Sequence, residues 1–215
     1  INNFMSFSVK NVKDNRIKIA ILGCGRISKN HIRAISAHND SAELVAICDT
    51  QIELLKKTQH LIEELKKEFT EEIKQPKQFT NFDVLLSSTK TKELSVDLLV
   101  IATPSGLHAE QTIAASKNGI HVCTEKPMST NFEDGKEMVR VCNENNVNLF
   151  VVKQNRLNST LELVKRQLNQ GRFGKISMVT VNVFWQRPQE YYDQAEWRGT
   201  WKLDGGALMN QASHY

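Results

Sequence analysis

Ile19-Ala20-Ile21-Leu22-Gly23-Cys24-Gly25-Arg26-Ile27-Ser28 is the stretch that decides the fold. Four apolar residues run without polar alternation, as a strand buried on both faces requires. Gly23-x-Gly25-x-x-Ser28 then ends the strand and opens a helical pattern, in which Ile27, His31, Ile32 and Ile35 recur at helical spacing. Gly23 permits a tight turn, and Gly25 lets backbone amides approach a pyrophosphate. The helix N-terminus adds donors and a favourable dipole. The third position of such turns is usually Gly or Ala, and Ser28 is only slightly larger. Asp49 closes the next strand, Leu44 to Cys48, about 20 residues further on, the place for a carboxylate that accepts from the ribose hydroxyls of adenosine. It would repel a 2′-phosphate, which favours NAD over NADP. A helix N-cap is the plainer role for Asp49.

Working outward, strand and helix patterns keep alternating. Residues 51 to 74 read as a long charged helix with Leu54, Leu61, Leu65, Phe69 and Ile73 on one face, stopped by Pro76. Asp97 to Ala102 is a very apolar strand. A helix carrying Ala109, Ile113 and Ala114 follows and ends at Gly119. His121 to Thr124 is the next strand, Asn131 caps a helix carrying Met138, Val141 and Cys142, and Val147 to Val152 is the last strand of the series. This βαβ rhythm predicts a doubly wound, mostly parallel sheet.

After Lys153 the pattern changes. A helix carries Leu161, Val164 and Leu168 up to Gly171, Phe173-Gly174 turns, and Lys175 to Trp185 reads as one long strand with one wetter face. The expected domains are therefore residues 6–153, binding the dinucleotide, and residues 154–215, the start of a substrate and oligomerisation domain. A lone strand cannot build a sheet, so this second domain reads as incomplete.

Composition bounds the partners. With 40% hydrophobic and 24% charged residues the chain is an ordinary globular one. Its net charge of +4 is too mild and too evenly spread for a nucleic-acid surface, yet does not obstruct an anionic ligand. No apolar run reaches membrane-spanning length, residues 1 to 15 lack a signal-peptide core, and Met5 is a candidate natural start. Cys24, Cys48, Cys123 and Cys142 are widely spaced, with no CxxC pair and no metal-ligand spacing, and read as buried thiols. These features predict a cytoplasmic protein with no metal.

Ala102-Thr103-Pro104-Ser105-Gly106-Leu107-His108 and Glu125-Lys126-Pro127 each follow a predicted strand, at the carboxyl edge where open α/β sheets bind ligands. With Gly23-Cys24-Gly25-Arg26-Ile27 and Gly205-Gly206-Ala207-Leu208-Met209-Asn210-Gln211-Ala212-Ser213-His214, these blocks make the chain resemble the Gfo/Idh/MocA oxidoreductase family. The resemblance implies a Rossmann domain followed by an α+β domain with an open, mostly antiparallel sheet, of which this chain would hold only part. It implies NAD held by Gly23, Gly25, Arg26, Ile27, Asp49, Thr103, Pro104, Ser105, His108, Glu125 and Lys126. Ser105 as a helix cap and His108 as a packed side chain are the plainer alternatives.

The family pairs its lysine with an Asp-x-x-x-His motif, and the matching positions here are Asn210 and His214. On a helix such a pair shares one face. Asn cannot take a proton, and its neutrality should let Lys126 lose its proton more readily. His214 is the favoured general base, with Lys126 polarising the substrate hydroxyl; the reverse assignment stays open. Within the family the wording is similar to bacterial UDP-N-acetyl-glucosaminuronate 3-dehydrogenases. The echoes are Val152-Lys153-Gln154-Asn155-Arg156, Tyr191-Tyr192-Asp193-Gln194 and Trp197-Arg198-Gly199-Thr200-Trp201. That likeness implies oxidation of a nucleotide sugar's 3-hydroxyl to a ketone for surface-polysaccharide synthesis. Arg156 and Arg198 suit a carboxylate or diphosphate, and Tyr191, Tyr192 and Trp201 could stack on sugar or uracil or simply pack. Other readings are an NAD-retaining sugar oxidoreductase or glycosidase, and a non-enzymatic dinucleotide-binding regulator. The full-length protein is expected to be a homo-oligomer.

Overall fold

The computed structural model describes residues 16–68 and 73–214. Met5, the candidate start, and Phe69, placed on a helix face by its spacing, lie outside the described residues. Six strands form one sheet in the order β3-β2-β1-β4-β5-β6, the doubly wound Rossmann order. The chain divides into two compact units, one ending at Leu98 and the other beginning at Leu99.

The first unit opens with β1 (Ile17–Leu22), α1 (Ser28–Ala37) and β2 (Ala42–Cys48). β1 and β2 pair in parallel from Ile17 opposite Ala42 to Leu22 opposite Cys48. Ala20, Ile21, Ala46 and Ile47 are fully buried, which is why neither strand alternates. α2 (Ile52–Glu68) buries Leu55, Thr58, Ile62 and Leu65. This differs by about one residue from the expected face: Leu54 and Leu61 are half-buried at its border. Spacing alone reads a 3.6-residue period with an error of one position, because neighbours along a helix differ by only part of a turn. Two short elements, β3 (Lys77–Phe79) and α3 (Phe82–Lys90), follow where the sequence showed no strong period. β3 pairs in parallel with β2, and the Asn81 side chain caps α3 by accepting from the amides of Asp83 and Val84.

The second unit contains the core strands β4 (Leu98–Ile101), β5 (His121–Thr124) and β6 (Leu149–Val151). Between them run α4 (His108–Lys117) and α5 (Phe132–Glu144). The Asn131 side chain caps α5 from the Glu133 amide at 2.8 Å, as expected, and Met138, Val141 and Cys142 are buried on its inner face. Leu99, Ile101 and Val122 are fully buried, each such side chain contributing about 1.5–3 kcal/mol by removal from water. Gly119, at φ 72°, takes the left-handed conformation that ends α4.

Beyond β6 come α6 (Ser159–Asn169), α7 (Gln189–Asp193) and α8 (Gly206–Asn210). The expected long strand over Lys175 to Trp185 is not formed: that segment carries no regular element, and Met178, Val179, Val181 and Phe184 are exposed. The alternation is real, but a strand exists only through hydrogen bonds to a neighbour, and none of the described residues pairs with this segment.

Candidate active site

Each unit carries one part of the expected machinery. In the first, Gly23 sits at φ 96°, a conformation open to glycine and costly for other residues, and its amide bonds the Cys48 carbonyl at 2.8 Å. A Cβ built on Gly25 would meet nothing within 4 Å, so the space over this backbone is open. Ser28 is buried, and its hydroxyl donates to the Gly25 carbonyl at 2.6 Å, which fastens the turn to the first residue of α1. No side chain caps α1; the Ser28 and Asn30 amides bond the Gly25 and Ile27 carbonyls at 3.2 and 3.0 Å, and the dipole of the helix N-terminus still favours an anion there. Asp49 does two things at once. It accepts from the Cys24 amide at 2.7 Å and from the Gln51 amide at 2.8 Å, so it clamps the glycine turn and also orders the approach to α2. A carboxylate has lone pairs to spare after two such bonds, so the ribose role stays compatible. Arg26 and Ile27 lie exposed on the turn. Burial pushes the Cys24 and Cys48 thiols up to about 12, and they stay protonated and inert.

In the second unit, the end of β4 and the segment after β5 are joined by the Glu125 amide bonding the Ile101 carbonyl at 2.9 Å. His108 is buried, and its ring nitrogens lie 2.8 Å from the Pro127 carbonyl and 3.0 Å from the Thr103 carbonyl. Both ring nitrogens of His108 face backbone carbonyls, and the one that carries the proton donates, which makes it a brace between the two segments; burial lowers its pKa. Thr103 donates its hydroxyl to Gln111 at 2.6 Å, Pro104 is half-buried, and Ser105 is buried at the head of a short 3-10 turn without capping a helix through its side chain.

Lys126 is half-buried, and its Nζ donates to both oxygens of Asn210: the backbone carbonyl at 2.8 Å and Oδ1 at 3.0 Å. Burial, first of all, lowers its pKa to about 8. Glu125 and Asp204 work against the shift, while Lys153 and Arg187 add to it. The direction matches the sequence expectation, but the cause is mainly desolvation, and negative charge is not missing from the site. His214 lies in a 3-10 turn, Ala212–His214, beyond the end of α8 at Asn210. The two side chains are therefore not on one face of a continuous helix, as the four-residue spacing suggested. His214 is placed instead by residues just after β6: Lys153 Nζ donates to the Ser213 carbonyl at 2.6 Å and Asn155 Nδ2 to the His214 carbonyl at 3.0 Å. Gln154 Nε2 lies 2.6 Å from His214 Nδ1, and Trp185 packs edge-on against the ring. Burial, then the charge of Lys126, lowers the His214 pKa below its usual 6.5, and the imidazole is neutral near neutral pH.

The candidate substrate residues are more scattered. Arg198 stacks on Tyr191 at 4.3 Å and on Trp197 at 5.4 Å, and its Nε and Nη1 are shielded from water without a hydrogen-bond partner. Tyr191 OH accepts from Gln211 at 3.2 Å, and Tyr192 packs edge-on against Tyr191. Trp201 is exposed, with its ring edge over Gly206, and Arg156 is exposed in the 3-10 turn Gln154–Leu157. Sequence reasoning gave no role to Asp204, Lys153, Gln154, Asn155, Arg187 or Gln211. The run Val152 to Arg156 was visible as a motif, but its task of holding His214 becomes legible only when distant segments meet. Among the described residues, no group of side chains has the makings of a metal site, and no helix is long and apolar enough to cross a membrane.

The sheet order and the glycine turn define a doubly wound α/β domain of the dinucleotide-binding type. Residues 17–153 match the model of the Gfo/Idh/MocA oxidoreductase family, NAD-binding Rossmann fold, and residues 161–215 match the family's C-terminal domain. The chain belongs to the Gfo/Idh/MocA oxidoreductase family. It is 54% identical to the WlbA dehydrogenase of Bordetella pertussis, solved with NADH and UDP-GlcNAcA, with a TM-score of 0.82 over 93% of this chain and 56% of that one. The WlbA dehydrogenase of Chromobacterium violaceum, solved with the same two ligands, is 46% identical with a TM-score of 0.84, over 98% of this chain and 56% of that one. The scyllo-inositol 2-dehydrogenase (NADP(+)) IolW of Bacillus subtilis is 32% identical over 67% of this chain and 39% of its own length. The chain thus spans only about half the length of the relatives it matches.

Proposed function

We propose that the protein is an NAD-dependent dehydrogenase that oxidises the 3-hydroxyl of a nucleotide sugar, UDP-N-acetyl-glucosaminuronate, to a 3-keto sugar for surface-polysaccharide synthesis. The observation that carries this reading is the pairing of a half-buried Lys126 amine with Asn210, beside a neutral His214, in a chain 54% identical to a WlbA dehydrogenase solved with NADH and UDP-GlcNAcA. Gly23, Gly25, Arg26 and Ile27 hold the pyrophosphate on the turn and the α1 amides, and Asp49 takes the adenosine ribose. Thr103, Pro104, Ser105, Glu125 and Lys126 line the nicotinamide half, with His108 bracing their backbone. Bound NAD supplies the hydride acceptor. His214 takes the hydroxyl proton through Nε2, which requires the Gln154 carboxamide, whose Nε2 faces Nδ1 in the structure, to turn over and present its oxygen to Nδ1–H. Lys126, fixed by Asn210, donates to the same substrate oxygen and stabilises the charge that develops there. The cations Lys126, Lys153 and Arg187 all act on His214 and suit a substrate with a carboxylate. Arg198 has two shielded donors that an anion could satisfy, while Arg156, Tyr191 and Trp201 complete the sugar-nucleotide side.

We further propose that residues 6–153 act as the cofactor domain and residues 154–215 begin the substrate domain, and that the full chain works in the cytoplasm as a homo-oligomer. The test is incubation of the full chain with NAD and a panel of UDP-sugars, with and without a 6-carboxylate, while following reduced cofactor. Reduction confined to the uronate supports the assignment. Reduction confined to neutral hexoses or inositols overturns it.

A further inference from the structure

Asp204 has only 3% of its surface exposed, and no cation forms an ion pair with it among the described residues. One carboxylate oxygen accepts from the Asn210 side-chain amide, and the other from the Gly199 amide at 2.8 Å. Its own amide donates to the Thr200 carbonyl at 3.0 Å, and the neighbouring Leu203 carbonyl accepts from the Gly106 amide at 3.0 Å. The carboxylate is therefore rigidly placed. Burying an anion in this way is costly unless hydrogen bonds or an opposite charge compensate it.

Its use follows from hydrogen-bond polarity. A carboxylate only accepts, so Asp204 can face only the NH2 end of the Asn210 carboxamide. The oxygen end must then point the other way, and there it accepts from Lys126 Nζ at 3.0 Å. Without Asp204 the carboxamide could turn over and aim a donor at the amine. We propose that Asp204 is a positioning residue for the reaction: it locks Asn210 as an acceptor toward Lys126 and adds, beside Glu125, a negative charge that helps hold the Lys126 ammonium in place. The inference rests on the role given to Lys126 and Asn210 under the proposed function. The charged groups acting on Lys126 are Glu125, Asp204, Lys153 and Arg187; Asp204 is the anion linked to it through a side-chain bridge.

The test titrates the Lys126 amine by nitrogen NMR on the full chain with labelled lysine, the signal being assigned by its loss in Lys126→Arg. It is paired with pH profiles of kcat and KM. In Asp204→Asn the amine midpoint should fall by roughly one pH unit, the direction that loss of a neighbouring negative charge gives for an ammonium. The kcat should drop more than KM rises, with NADH affinity unchanged. Asn210→Asp alone crowds two carboxylates and should also lose activity. The double variant Asp204→Asn, Asn210→Asp moves the single charge next to Lys126 and should recover at least about tenfold over the worse single variant, a gain of ~1.4 kcal/mol in transition-state stabilisation. An unmoved amine midpoint in Asp204→Asn, or a double variant no better than the worse single, overturns the proposal; the double variant decides if Asp204→Asn does not fold. A full chain inactive on every UDP-sugar would sink the dehydrogenase reading alone, because the amine titration needs no turnover.

Discussion

Lys126 and His214 are shifted by the same cause, loss of water around a cation, and the shifts suit different tasks. With its pKa at about 8, Lys126 carries its proton at neutral pH and can donate it into a hydrogen bond. His214, shifted below 6.5, has lost its proton there and can accept one. The sign of the pH dependence follows. Turnover should rise as pH climbs through the His214 pKa, below 6.5, and fall again as pH passes about 8 and the Lys126 ammonium is lost. A pH profile of kcat/KM on the full chain checks this; a rate still rising beyond the lysine midpoint would assign the base to Lys126 instead. Lys126→Met keeps a similar length without a charge or a donor. It should lower kcat at least about a thousandfold, consistent with losing a preorganised donor, while NADH affinity, read by cofactor fluorescence, stays within about threefold. Unchanged turnover would remove Lys126 from the chemistry.

At the scale of elements, the site depends on loops held by close backbone approach. Gly106 follows β4, and a Cβ placed there would collide with the Lys202 carbonyl oxygen and lie 2.9 Å from Leu203 Cα. Both obstacles are backbone, which cannot rotate out of the way. Gly106→Ala should therefore push away the turn that carries Asp204, costing about 1–3 kcal/mol of stability, measurable as a lower urea midpoint. It should also lower kcat, since Asp204 positions Asn210. Retention of wild-type stability and rate would mean that the turn adapts freely. The Asn210-to-His214 segment shows the same dependence from another side. α8 ends at Asn210, its last carbonyl is taken up by Lys126, and the following 3-10 turn is pinned by Lys153, Gln154 and Asn155.

For the whole molecule, ligand linkage is the informative measurement. A ligand that binds only the folded state stabilises it by mass action. NAD at about a hundred times its Kd should stabilise the full chain by ~2.7 kcal/mol, seen as a concentration-dependent rise in Tm. Asp49→Ala removes the clamp on the glycine turn, so the same NAD concentration should give a clearly smaller rise; an equal rise would mean that Asp49 neither shapes the turn nor meets the ribose.

The Rossmann half was legible in the residues because its signals are local. Buried strands such as Ile19 to Leu22 announce themselves by unbroken apolar runs, the glycine turn by the backbone conformation it needs, and the cap of α5 by Asn131 lying next to the amide it satisfies. The exact inner face of α2 and the short elements β3 and α3 were not, since a one-residue rotation or a three-residue strand leaves almost no trace in periodicity. Lys126, Asn210 and His214 were each identifiable as chemistry-bearing side chains. That Asp204 bonds Asn210, that Lys153, Gln154 and Asn155 seat His214, and that Lys175 to Trp185 has no pairing neighbour among the described residues were matters for tertiary structure. Local order is written in neighbouring residues, whereas the field and orientation at a site arise from groups far apart in the chain that only folding brings within a hydrogen bond of one another.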